Sequence, residues 1–262
     1  KAPLQESTMK MRLSALLCLI LLPLSSTTLS AQVSEAQSDK SFADEKIIND
    51  YESTRIAMRK YGKESAPATK DGSFRLTTYN IENLFDAHDD PSLTGRNDDA
   101  DDTKPEHQLI ATAMAIRAVN PDILCIEEVE SEQALLEYRD TYLADMGYEH
   151  VVSIDAGNDR GIENSVLSRF PITNAKNWPN KPLGGVHPEK YGNNKNWYAG
   201  EPIAFRRSPI MVDVAIPNAD GNESWTLTLF VMHHKSGFYN SYWREAEAKG
   251  TLELIQDVLK SD

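Results

Sequence analysis

The segment Asp122–Ile126 (DILCI) constrains this chain more than any other. It is a continuous apolar run with no alternation, the pattern of a strand covered on both faces, so it belongs inside a layered α/β domain. What precedes it fits that placement. Phe74–Ile81 (FRLTTYNI) is rich in β-branched and aromatic residues and predicts a strand. Between the two, Leu109, Ala113 and Ile116 share one helical stripe over Glu106–Val119, joined by Ile110 and Met114. Pro105 suits the helix entry and Asn120-Pro121 its exit.

The remainder continues the pattern. Ser131 is placed to cap a helix carrying Leu135, Tyr138, Tyr142 and Met146, with Gly147 as its stop. Strands are predicted at Glu149–Ile154, Ser165–Ser168, Ile210–Ile216 and Trp225–Met232. A final helix shows Ala248, Leu252, Ile255 and Leu259 at helical spacing. An early βαβα order followed by strands joined without helices predicts an α/β sandwich, not a uniform doubly wound sheet.

Composition narrows the function. In 262 residues, 27 Lys and Arg face 40 Asp and Glu, a formal net charge of -13. A hydrophobic share of 40% excludes a wholly disordered chain. The acidic balance argues against a protein that coats nucleic acid by bulk charge. An enzyme acting on a polyanion would instead need local positive charge or a bound cation. Cys18 and Cys125 are too few for a disulfide framework.

The first residues read as an address. Lys10 and Arg12 precede an apolar run, Leu13–Leu24, followed by the small, polar stretch Ser25–Ala31. This matches a secretory signal peptide starting at Met9 and cleaved near Ser30 or Ala31. The run is about 12 residues, short of the roughly 20 that span a bilayer. The expected product is secreted or periplasmic, with no membrane span in the mature chain. Residues 1–31 are thus an extension and leader, 32–72 a polar arm and linker, and 73–262 the folded domain. Phe42, Ile47, Ile48, Tyr51 and Ile56 allow one amphipathic helix in the arm.

Polar groups that emerge from apolar strands are the informative departures, because a buried polar group needs a partner or a purpose. Asn80 ends the first strand, Glu127-Glu128 end the DILCI strand, and His233-His234 follow LTLFVM. An amide, a carboxylate and an imidazole at neighbouring strand ends can hold one hard cation and a phosphate oxygen. Singly, each is more often a structural or solvated group.

Together, TYNIENLFD (78–86), NPDILCIEEVE (120–130), DRGIENSVLSRFPI (159–172) and LFVMHHKSG (229–237) resemble the endonuclease/exonuclease/phosphatase superfamily, the deoxyribonuclease I-like fold. The wording looks most like predicted bacterial extracellular nucleases. The resemblance covers about residues 74–262 and implies a four-layered α/β/β/α sandwich with the site at one end of two packed sheets. It implies Mg²⁺-dependent (or Mn²⁺-dependent) hydrolysis of phosphodiesters, with Ca²⁺ as an auxiliary ion and nucleic acid as the substrate. By motif position, Glu128 matches the metal-binding Glu, Asn80 the first-strand Asn beside the metal, and His233 the His that contacts the scissile phosphate. Arg160 and Lys235 are candidate substrate contacts, a surface ion pair being the alternative for Arg160. Strand alternation places Leu124, Ile126 and Glu128 on one face, with Cys125 and Glu127 on the other. His234 is read as a neighbour, not a second catalyst.

The family's later G-D-x-N and S-D-H segments, with their Asp, Asn and His, are not found before Asp262. The sandwich is therefore expected to be incomplete at the C-terminus, and the chain as written to hold half a site and be nearly inactive. A longer parent would hydrolyse phosphodiesters. A lipid or small-molecule phosphoesterase, or a surface-binding module that has lost its site, are the alternatives. Two loops differ in character. Asp86–Glu106 carries eight acidic residues against Arg96 and Lys104, and reads as a solvated loop. Residues 173–200 interleave Lys176, Lys181, Lys190 and Lys195 with Trp178, Tyr191, Trp197 and Tyr198. Such a loop either tracks a nucleic-acid backbone or packs its aromatics down.

Overall fold

The computed structural model describes residues 13–14, 66–88, 103–158, 160–219, 221 and 223–261. Its main elements are β1 (Leu76–Leu84), α1 (Glu106–Val119), β2 (Ile123–Val129), α2 (Glu132–Tyr142), β3 (His150–Ser153), β4 (Glu163–Ser168) and β5 (Ile172–Asn177). After these come β6 (Pro182–Val186), β7 (Lys190–Tyr191), β8 (Asn194–Lys195), β9 (Pro202–Ala204), β10 (Ile210–Pro217), β11 (Ser224–Val231) and α3 (Ser241–Ser261).

One sheet has the order β1-β2-β4-β3, with β1 parallel to β2 through the α1 crossover and the other pairs antiparallel. The second is antiparallel, β5-β10-β11, with a two-residue bridge, Leu13–Ser14, parallel against Leu227–Thr228. As its apolar run requires, β2 is covered on both faces. Leu124, Ile126 and Val129 pack with Ala113 and Ile116 of α1 and Leu135 and Tyr138 of α2. Ile123 and Cys125 pack with Val212, Val214, Leu227 and Leu229 of the second sheet. The result is an α/β sandwich in which a helix pair, one sheet and a second sheet lie in successive layers.

Helix ends follow local chemistry. Asn120, in the left-handed region, closes α1 by donating its N–H to Ile116 O at 2.8 Å. Ser131 Oγ accepts the Ala134 N–H at 3.0 Å and caps α2. The predicted single helix through Met146 breaks after Tyr142 into one 3₁₀ turn, Ala144–Met146, before Gly147 at φ 73°.

The stripe expected on α3 is corrected. Leu252 and Leu259 are 48% and 55% exposed, whereas Trp243, Glu247, Thr251 and Leu254 are buried. The buried face is rotated by one residue, about 100°, because it contains a carboxylate and a hydroxyl that a search for apolar periodicity passes over. This face meets the small β6–β9 ribbon, where an added Cβ on Gly250 would press on Leu183 and Phe205.

Apart from Leu13–Ser14 and residues 66–72, the leader, the arm and its amphipathic helix lie outside the described residues, as do residues 89–102 of the acidic loop. Among the described residues, no helix is long and apolar enough to cross a membrane. In the Lys/aromatic loop, Trp178 stacks on Phe230 at 6.0 Å, and Tyr198 packs against His187 and Trp243, while Trp197 stays 85% exposed. Most of those aromatics therefore hold the loop down.

Candidate active site

Strand register brings the expected residues to one end of the sandwich. In the first sheet Asn80, Glu127 and Asn164 are aligned across β1, β2 and β4. In the second, Ile210 at the start of β10 faces Val231 at the end of β11, so the residues just before β10 and just after β11 leave the same edge. Arg207 and His233 lie on those two exits.

The regular ladder breaks at this end. Between the pairs Asn80–Glu127 and Leu84–Val129 the register shifts, and Glu82, Asn83 and Glu128 take φ of 58°, 58° and 69°. Side chains other than glycine hold such angles at a cost of about 1–3 kcal/mol each, and such costs gather at functional sites. The bulge corrects the simple alternation. Val129, not Glu128, takes the helix-facing place after Leu124 and Ile126, and Glu128 is turned out as the extra residue.

The two carboxylates consequently differ. Glu127 is 2% exposed and accepts the Thr78 hydroxyl at 2.7 Å, while its Oε2 has no partner among the described residues. Burial, the largest cause, pushes its carboxyl up to about 7. Glu128 places Oε1 3.4 Å from Nε2 of His233. That separation qualifies as an ion pair by distance alone. Burial, then the charges of Arg207 and Arg160, push the imidazole down to about 3, so the ring is neutral and the contact joins a neutral imidazole to a carboxylate.

Asn80 is exposed and sits one strand over from Glu127, its Oδ1 accepting the Glu82 N–H at 2.8 Å. The structure thus joins Glu128 to His233 directly, and sets Asn80 opposite Glu127 on the neighbouring strand, its side chain turned into a local turn. Arg160 donates from Nη2 to Asn83 Oδ1 at 2.8 Å, and its charge acts on both His233 and Arg207. Lys235 is half-buried. Its ammonium donates to Ser236 O at 2.9 Å and lies over the Trp243 ring, and its backbone N–H donates to Glu247 Oε2 at 2.7 Å. His234 is pushed down by burial first and then by Arg244.

Four site residues were not singled out from sequence. Lys104, 5% exposed, closes the acidic loop by donating to Glu82 O at 2.8 Å, and the charge of Glu128 acts on it. Glu247 bonds two loops at once, accepting the Arg206 N–H at 3.0 Å and the Lys235 N–H at 2.7 Å. Asn164, 1% exposed, donates to Ser208 O at 2.8 Å. Arg207, 5% exposed, lies between these fastenings. For Glu247 a signal existed, since Trp243, Glu247 and Thr251 recur at four-residue spacing. Nothing in the pair Arg206-Arg207 announces which guanidinium is buried.

The donors fit a hard divalent cation. Mg²⁺ takes one or two protein carboxylates and completes its shell with water and phosphate oxygens, and the bulge turns the Glu128 carboxylate out of the strand ladder to serve as one. A separate set, Asp86, His88 and Glu137, has ligand atoms all within 4.8 Å of one another beside the acidic loop.

Residues 77–235, more than half of the chain, match the model of the Endonuclease/Exonuclease/phosphatase family. No curated protein matches the sequence. Three solved structures are similar at low identity. The endonuclease/exonuclease/phosphatase from Beutenbergia cavernae DSM 12333 is 20% identical at a TM-score of 0.41, over 70% of this chain and 43% of that one. A mannosyl-6-phosphatase from Bacteroides thetaiotaomicron VPI-5482 is 14% identical at 0.42, over 71% and 60%. Truncated Caenorhabditis elegans TDP2 is 16% identical at 0.40, over 72% and 57%. In each case this chain spans less than two thirds of the other's length.

Proposed function

This chain belongs to the endonuclease/exonuclease/phosphatase family, hydrolases of phosphoester bonds, and from that premise we propose that the whole protein is an exported, divalent-metal-dependent phosphodiesterase acting on nucleic acid. The observation that carries this reading is the contact of Glu128 with His233 at 3.4 Å, where two sheets end together.

Glu128 would hold the metal, with Asn80 on the neighbouring strand end. A bound Mg²⁺ or Mn²⁺ supplies charge neutralisation at the phosphate. The rest falls to side chains of this chain. A neutral His233 carries one N–H, which on Nε2, beside Glu128, would be shared with a phosphate oxygen bound at the same point, without adding a charge that must later be dispersed. Arg160 and Lys235 supply positive potential in an otherwise acidic molecule, which draws a polyanion to this end. Burial around His233 and Glu127 keeps the local dielectric low and strengthens each contact.

Nucleic acid is favoured as substrate by Lys176, Lys181, Lys190 and Lys195 in the 173–200 loop and by the exposed ring of Trp197. The leader motif at residues 10–31 supports export. A second reading, hydrolysis of a lipid phosphoester, is favoured by Phe238 and Tyr239, 87% and 49% exposed just beyond Lys235. The test is a digestion panel on the full-length protein with Mg²⁺, comparing single-stranded DNA, duplex DNA, RNA and phospholipid vesicles. Cleavage of a nucleic acid that is lost in Glu128→Gln supports the proposal. Release of headgroups with nucleic acid left intact overturns it in favour of lipid.

A further inference from the structure

At the site end of the second sheet the ladder between β10 and β11 stops at the pair Ile210–Val231. The segments beyond it, Arg206–Pro209 before β10 and Met232–Lys235 after β11, are no longer set by strand pairing. His233 lies on the second of them, so its reach to Glu128 depends on what fixes that segment. Helix α3 supplies the fastening. Glu247, 1% exposed, accepts the Arg206 N–H on Oε1 at 3.0 Å and the Lys235 N–H on Oε2 at 2.7 Å. One carboxylate thus has one oxygen on each segment. Its helix neighbours add to the grip. Trp243 Nε1 donates to Ala204 O of β9 at 2.7 Å, and Arg244 Nη1 donates to Lys235 O at 3.1 Å and to Gly237 O at 2.7 Å.

Packing alone does not call for a carboxylate on the buried face of a helix, where an apolar side chain would avoid the cost of desolvation. Two backbone donors do. A carboxylate has an acceptor on each terminal oxygen, whereas glutamine, of the same shape, has one acceptor and an NH₂. Glutamine at 247 would therefore satisfy one segment and set donor against donor at the other. Aspartate keeps both oxygens but is a methylene shorter. The bonded groups also have a definite address: the Lys235 N–H is two residues from His233, and the Arg206 N–H adjoins Arg207, whose charge acts on the His233 ring.

We propose that Glu247 is a positioning residue of the site: its two oxygens, one on each segment, fix where His233 stands relative to Glu128. For its effect on turnover the inference rests on the phosphoester-hydrolase reading; the placement itself is measurable without turnover. Losing either bond frees the segment that carries it to move towards water, and the 3.4 Å approach of His233 to Glu128 is then no longer enforced. A misplacement of about 1 Å can cost on the order of 10²-fold in rate although every reacting group is still present.

The test compares wild type with Glu247→Gln and with Tyr148→Phe, a control that removes a buried hydroxyl bond to Pro121 O on the helix side of the first sheet. Backbone amide exchange and histidine ring NMR are recorded on the 262-residue chain at pH 8, above the value of about 7 to which burial pushes the Glu247 carboxyl. In Glu247→Gln the Arg206 or the Lys235 amide should exchange at least about tenfold faster, as expected for a lost bond to a charged acceptor. The His233 ring signals should move towards their positions in Glu128→Gln, the signature of a lost contact, while Tyr148→Phe leaves both readouts unchanged. In the full-length protein, Glu247→Gln should lower kcat at least about tenfold and change KM by less than about twofold. If Glu247→Gln does not fold, Glu247→Asp is judged by the same readouts. His233 signals that stay in their wild-type place overturn the assignment, whatever the amides do, and so does a normal kcat in an active full-length variant. Displaced His233 signals in a protein that hydrolyses no phosphoester would sustain the positioning of His233 by Glu247 and refute the hydrolase reading alone.

Discussion

Nε2 of His233 lies 3.4 Å from Oε1 of Glu128, although the two side chains come from different sheets. Neither sheet could produce this contact by regular geometry. It requires the bulge at Glu128, with φ at 69°, and it requires β11 to end two residues before His233. The site is therefore built from a departure in one sheet and a termination in the other.

His233→Asn in the full-length protein is expected to lower kcat by about 10²–10³, the usual cost of losing one preorganised donor to a developing oxyanion, with little change in melting temperature. Steady-state hydrolysis of a phosphodiester and a thermal melt check both halves. A variant with normal kcat would place His233 outside the chemistry.

Acidity should stabilise this fold. Glu163 and Glu247 are both pushed up to about 7 from an ordinary 4.5, burial being the largest cause in each. The folded state thus binds their protons more tightly than the unfolded chain does. The stabilisation is complete below the unfolded value and is lost as pH rises through about 7. Each group contributes at most about 3 kcal/mol on this scale. Urea unfolding at pH 5 and pH 8 should show greater stability at pH 5. Glu163→Gln, which removes the carboxylate beside the Ser153 hydroxyl, should reduce the difference by its own share while Glu127 and Glu247 keep theirs; an unchanged difference contradicts the assignment.

Asn164 links the first sheet to the segment that carries Arg207, through its 2.8 Å bond to Ser208 O. Asn164→Ala leaves that buried carbonyl short of a donor and should cost about 1–3 kcal/mol. Chemical denaturation gives the stability loss.

What the sequence disclosed and what it concealed have a common physical reason. DILCI was readable because burial on both faces leaves no place for polar residues, and LTLFVM because only Thr228 interrupts its apolar run, so the positions where Glu128 and His233 appear stand out at once. The left-handed turn at Glu128 was not readable, because no glycine marks it and alternation continued through it predicts a face the residue does not take. Glu247 was hidden for the opposite reason. It occupies a core position on α3, and a pattern built from apolar side chains steps over it to Ala248 and Leu252. Arg207 sits in a loop where a charged pair ordinarily means solvent, and only tertiary fastening by Glu247, Asn164 and Ala156 reveals that one of the two is enclosed. The loop aromatics Trp178 and Tyr198 looked the same as Trp197 until packing separated them.

The most direct measurement is a Mn²⁺ titration followed by NMR of the histidine side chains, on wild type and Glu128→Gln. Paramagnetic broadening reports which imidazole stands next to the ion, independently of turnover. The His233 ring signals should broaden in wild type at low Mn²⁺ and stay sharp in Glu128→Gln, while any broadening of His88 from the Asp86–Glu137 set should persist in both. Sharp His233 signals in metal-saturated wild type, or equal broadening in the variant, would contradict a single divalent site shared by Glu128 and His233.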